Sequence, residues 1–167
     1  FTTQRRAHLK PQSDCAGAWA VCSPETVNGF SGTAYFFARA LHEKLNVPVG
    51  IVHSSWGGTA VEAWTSLDVQ SGDKKLAPVF APWKGKPKAD RNKPANLFNG
   101  MIAPILPYGI RGAIWYQGES NGDEGESYYH KMRALINGWR KSFQNPELAF
   151  YFVQLANYRE GNKPEER

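Results

Sequence analysis

Residues 118–122 read Gly-Glu-Ser-Asn-Gly, a match to G-x-S-x-G, the turn that presents a nucleophilic serine between a strand and a helix. The apolar run "GAIWYQ" precedes the match and a helical pattern follows it. Two further requirements are not met. A serine elbow needs a helix directly behind the nucleophile, so that the dipole and the next amide favour an oxyanion. Here Gly122 and Gly125 interrupt that first turn and the helical pattern starts near Ser127; glycine is a poor helix former. The elbow also needs an acid and then a histidine on later strands. The histidine that follows Ser120 is His130, on the adjoining helical pattern. An α/β-hydrolase with Ser120 as nucleophile therefore lacks both the helix and the later histidine that its elbow requires.

The neighbours of Ser120 carry a different chemistry. Gln117 and Asn121 bear neutral amide donors, which keep their hydrogen-bonding character across the pH range. Gly57 and Gly58, in "SSWGGT", can offer backbone N–H groups with no side chain in the way. Such donors, aimed at a developing negative oxygen, form an oxyanion hole worth about 3–4 kcal/mol per donor in a dry site. A plain turn-forming role for the same residues stays open, with Glu119 satisfying buried amides. His53 precedes Ser54 and Ser55. Adjacent strand residues point to opposite faces, so His53 reads as a packed or hydrogen-bonded core histidine rather than a base. No cluster of His, Cys, Asp and Glu has metal-ligand spacing, and no metal or cofactor is expected.

The elements that must position these residues follow from spacing. Phe30, Ala34, Phe37, Leu41 and Leu45 recur on one helical face, with Ser31 as N-cap and Asn46 and Pro48 as the stop. "VGIVHS", Val49 to Ser54, is β-branched and reads as a buried strand, and "WAVC", Trp19 to Cys22, as a short one. Tyr128, Met132, Leu135, Ile136, Trp139 and Phe143 mark a second amphipathic helix. It lies between the strands "GAIWYQ" and "AFYFVQL". Strands alternating with helices indicate an α/β fold with a parallel sheet, whose ligands bind at the carboxyl ends of the strands. "SSWGGT" and "QGESNG" both sit at such ends. Residues 68–100 read as a long irregular loop with room for one short helix, which either lines or covers a site or is partly mobile, and "MIAPILPYG" as a packed connector broken by Pro104 and Pro107.

At 167 residues the chain is expected to form one domain with a real core. No apolar run is long enough for a membrane-spanning helix. No secretory signal pattern is visible, and the chain begins with Phe1 rather than Met. The net charge is +5. Lys84, Lys86, Lys88, Arg91 and Lys93 fall in the Gly/Pro-broken stretch "WKGKPKADRNKP", which reads as a solvated loop. A nucleic-acid surface would need aromatic platforms between such charges, and Trp83 alone does not supply them. Cys15 and Cys22 are too few for a C-x-x-C zinc pattern; free thiols and a local disulfide both stay open.

Taken together, "PETVNGFSGTAYFFARALHEKLNVPVGIVHSSWGGTAVEAWTS", "NLFNGMIAPILPYGIRGAIWYQGESN" and "AFYFVQLANY" resemble the sialate O-acetylesterases. These belong to the SGNH-hydrolase superfamily of carbohydrate esterases. The resemblance runs from Phe1 to about Tyr158. It implies a three-layer α/β/α, flavodoxin-like fold and hydrolysis of acetyl esters on sugars in a secreted, periplasmic or lysosomal setting. It implies that Gly57, Gly58 and Gln117 contribute oxyanion-hole donors, with Asn121 ranked after Gln117. Trp56 and Glu119 are then expected at the substrate, Glu119 also as a brace. The family's "GQSN"-type serine block and D-x-x-H block have no match in this sequence. The expectation is therefore of a domain incomplete at both ends, carrying the oxyanion half of a site and nearly inactive in isolation. The competing class is a non-catalytic sugar-binding domain on the same scaffold.

Overall fold

The computed structural model describes residues 1–106 and 108–156. Pro107 and Tyr158, named above, lie outside the described residues. Helix α1 spans Gly32–Leu45. Ser31 Oγ accepts from the Ala34 amide at 3.4 Å, and Asn46, in the left-handed region at φ 50°, ends the helix with its N–H on the His42 carbonyl. The buried side chains of α1 are Ala34 and Ala38. Phe37 and Leu45, expected on an apolar face, are 42% and 58% exposed. Of the residues expected on that face only Ala34 is buried, and Phe37 lies beside Tyr151, 6.3 Å away between ring centroids.

Strand β1 (Gly112–Trp115) and strand β2 (Ala149–Phe152) pair in parallel, Gly112 opposite Ala149 and Trp115 opposite Phe152. Helix α3 (Glu126–Ser142) crosses between them, which makes a βαβ unit as the alternation required. The expected strand over Val49–Ser54 is not a regular one. It is an extended segment with a parallel bridge between Thr2 and His53, supported by the Phe1 backbone nitrogen donating to the Ile51 carbonyl at 2.8 Å. A single bridge to a short segment does not give a ladder. Trp19–Cys22 forms no strand either. Val21 there is 87% exposed, so no burial favours pairing.

Residues 68–100 hold most of helix α2 (Leu67–Gly72) and a 3-10 run over Lys74–Trp83. Pro78 and Pro82 remove amide donors and keep that run from becoming an α-helix. The connector "MIAPIL" is a π-turn at Phe98–Ile102 running into a 3-10 turn at Ala103–Ile105, with Met101 and Ile102 fully buried. The core gathers Val61, Trp64, Leu97, Met101, Leu135 and Trp139. Trp115 meets Trp64 and Trp139 edge-on at 6.3 and 5.9 Å, the edge-to-face geometry that aromatic quadrupoles favour. Trp139 Nε1 donates to the Trp64 carbonyl at 2.9 Å, and Trp64 Nε1 to Thr59 Oγ1 at 3.0 Å. The aromatic core is thus bonded directly to the residue after the Gly57–Gly58 turn.

Candidate active site

Two loops meet here. The first follows the extended Val49–Ser54 segment. Thr59 Oγ1 donates back to the Trp56 carbonyl at 2.6 Å, which folds Trp56, Gly57 and Gly58 into a tight turn. Gly58 has φ 68°, a region that costs a residue with a Cβ about 1–2 kcal/mol. The second loop follows β1. Gly118 has φ 153°, and a Cβ there would stand 2.8 Å from Leu155 Cδ1; a short 3-10 turn over Glu119–Asn121 comes next. The second loop lies beyond the carboxyl end of β1, as expected; the first follows a segment that makes a single bridge rather than the expected strand.

Gln117 ties the loops together. Its Nε2 donates to the Thr59 carbonyl at 3.0 Å and to Asn121 Oδ1 at 2.7 Å. Tyr128 Oη donates toward the Gln117 carbonyl and Oε1, at 3.0 and 3.1 Å. Burial, and then the nearby carboxylates of Glu119 and Glu124, raise the Tyr128 phenol above its ordinary value, so it stays a donor at neutral pH. Asn121 is 4% exposed. Its Oδ1 also accepts from the Val61 amide at 3.0 Å, and its Nδ2 donates to Glu62 Oε2 and Glu124 Oε1, each at 3.0 Å. Every hydrogen of Asn121's amide is therefore engaged. Asn121 is a cross-brace in this geometry rather than a donor pointing at open space.

Beneath Asn121 lies a charge cluster that spacing alone did not reveal. Lys131 Nζ is 3.1 Å from Glu62 Oε1 and 2.7 Å from the Glu124 carboxylate, with side-chain exposures of 7%, 13% and 28% for Lys131, Glu62 and Glu124. One signal was available. Lys131 stands three residues after Tyr128 and four before Leu135, on the buried stripe of α3, where a lone charge needs a partner. Glu62, between buried Val61 and Ala63, gave the matching sign. Glu119 is not the brace: it is exposed, and Glu62 and Glu124 do the bracing. Trp56 is half-buried against the core, beside the glycine turn.

Ser120 is exposed. His130 Nε2 meets Lys75 Nζ at 3.2 Å and Glu126 at 3.5 Å, so it is committed away from Ser120. His53 Nε2 lies 2.6 Å from Ser55 Oγ. The alternation that separates His53 from Ser54 puts Ser55 on its side, while Ser54 Oγ donates to the Met101 carbonyl at 3.1 Å. Burial, then Arg5, holds the His53 imidazole below its ordinary value. The unfolded chain then takes up a proton that folded His53 resists. Stability is full above about pH 6.5, the free imidazole value, and falls as the pH drops through and below it. Thermal melts from pH 8 down to about pH 5 should show this decline, and His53→Gln should flatten it.

Cys15 and Cys22 are free thiols. Burial, then Asp14, raises the Cys15 thiol. Among the described residues no group of three His, Cys, Asp or Glu could hold a metal ion, and no helix is long and apolar enough to cross a membrane. A separate groove of about 550 Å³ between α2 and α3 is lined by Asp73, Lys75, His130 and Arg133 among others; the glycine turn and Gln117 do not contribute to it.

A family model described as carbohydrate esterase, sialic acid-specific acetylesterase, matches residues 12–166. Sialate O-acetylesterase of Mus musculus is 31% identical over 160 residues, covering 77% of this chain and 30% of that protein. The Homo sapiens enzyme is 36% identical over 139 residues, covering 76% of this chain and 25% of that protein. The crystal structure of a carbohydrate acetylesterase from Xanthomonas citri aligns with a TM-score of 0.79 at 36% identity, over 94% of this chain and 33% of that one. The chain spans between a quarter and a third of the length of these relatives.

Proposed function

The chain belongs to the carbohydrate esterase family of sialic acid-specific acetylesterases, and from that premise we propose that it forms the oxyanion side of a site that hydrolyses acetyl esters on sugars. The observation that carries the proposal is the cross-tie between the two strand-end loops. Gln117 and Asn121 bond to Thr59 and Val61, which holds the Gly57–Gly58 turn against the Gln117 loop. Attack on an acetyl carbonyl puts negative charge on its oxygen, and donors fixed beforehand stabilise it without reorganising.

In this reading the backbone amides of Gly57 and Gly58 are the first donors. Gln117 is the next. One of its amide hydrogens rests on the Thr59 carbonyl, a neutral acceptor, and a developing oxyanion competes for it as a stronger, charged one. Asn121 keeps both loops in register. Trp56 offers an apolar face to the sugar, with Glu119 at the edge. The nucleophilic serine and the His/Asp base of the family mechanism are assigned to further polypeptide, in line with relatives several times longer. The reading places the protein in an extracytoplasmic compartment (secreted, periplasmic or lysosomal), with an acetylated sugar as partner.

The test is acetate release from an O-acetylated sugar by the full-length polypeptide. Measurable turnover is expected. Sugar binding with no acetate release would instead favour a non-catalytic carbohydrate-binding domain on the same scaffold.

A further inference from the structure

The basic stretch that reads as a solvated loop is anchored to the candidate site. The Ala60 amide donates to Asn92 Oδ1 at 3.0 Å, and the Ala95 amide to the Glu62 carbonyl at 2.9 Å. The Asn92 amide in turn donates to Asp90 Oδ1 at 2.8 Å, which sets the bend around Arg91. Arg91 is exposed, and its Nη2 stands 3.9 Å from the point where a Cβ on Gly58 would lie. Neighbouring cations are occupied elsewhere. Lys93 Nζ donates to the Lys86 and Lys88 carbonyls, and the Lys86 ammonium lies over the Trp83 ring at 5.1 Å from its centroid. Among the described residues the ion pairs do not include Arg91.

A guanidinium presents a planar fork of donors that matches a carboxylate at two points. We propose that Arg91 is a specificity-determining residue that grips a carboxylate on the sugar, so that the site favours acetyl esters of acidic sugars over neutral ones. Lys84 and Lys88 add same-sign charge on this loop, which raises the local concentration of an anionic substrate. The proposal rests on the acetylesterase reading above. It goes beyond that reading by assigning selectivity to a residue of the 84–93 loop, outside both strand-end turns.

The experiment uses the full-length polypeptide, parent and Arg91→Gln, on an O-acetylated sialic acid glycoside and on its carboxamide, which differ only in charge. The parent should prefer the carboxylate. In Arg91→Gln the ratio of kcat/KM for carboxylate over carboxamide should fall about ten- to a hundredfold, the range of hydrogen bonds to charged groups. The fall should lie mainly in KM, Arg91→Lys should keep part of the preference, and added salt should shrink it in the parent. An equal loss on both substrates would overturn the proposal and place Arg91 at the oxyanion instead; an unchanged ratio would also overturn it. Release of acetate from neither substrate by the parent would overturn the acetylesterase reading itself, an outcome distinct from both.

Discussion

Lys131→Met is expected to lower the unfolding free energy by about 3–5 kcal/mol, the cost of leaving buried carboxylates without their cation. Lys131 touches both Glu62 and Glu124, and Asn121 donates to the same two carboxylates. Without the ammonium, two negative charges face each other across a single amide. Adding Glu62→Gln should recover part of the loss. It removes the more buried carboxylate, and Glu124, at 28% side-chain exposure, can still be hydrated. Urea unfolding followed by tryptophan fluorescence reads the change, since Trp64, Trp115 and Trp139 share one cluster. A midpoint for Lys131→Met equal to the parent's would mean that the cluster is too wet to hold the loops.

The same cluster marks the limit of what the sequence discloses. Both helices of any length were legible, because their apolar spacing and the Ser31 cap are local signals, and α3 begins at Glu126, close to where the two glycines allowed. The strand-end placement of "QGESNG", after β1, was legible from the alternation of elements, whereas "SSWGGT" follows a segment with a single bridge in place of the expected strand. The Glu62–Lys131 pair was not, since its members lie 69 positions apart and no local rule joins them. Nor was the course of the 84–93 loop, which depends on Asn92 reaching Ala60 across 32 positions. The apolar face of α1 was overread. Spacing shows which residues share a face, but only packing decides how deep that face sits, and here Ala34 and Ala38 are buried while Phe37 is not. The family resemblance needed only the motifs. The roles of Gln117 and Asn121 as ties needed coordinates.

Gln117→Ala is expected to lower kcat about a hundredfold or more, the usual cost of removing one oxyanion donor. The carboxamide is held on three sides, by Thr59, Asn121 and Tyr128, so donation to the oxyanion means exchanging the bond to the neutral Thr59 carbonyl for a stronger, charged acceptor. A donor used only in the transition state changes kcat and leaves KM nearly as it was. A residue that merely braces the loops would show the opposite balance, with a lowered melting temperature and a kcat that recovers on cooling. Gln117→Glu should be as inactive as Gln117→Ala, because a carboxylate repels the oxyanion.

The decisive measurement sets Gln117→Ala beside Ser120→Ala in the full-length polypeptide, with kcat and KM determined on one O-acetylated sugar. The expected result is a kcat lowered by about two orders of magnitude for Gln117→Ala and a rate close to the parent's for Ser120→Ala. Loss of turnover in Ser120→Ala, together with a nearly unchanged kcat in Gln117→Ala, would contradict it. Ser120 would then be the nucleophile, and the loop would be a serine elbow after all.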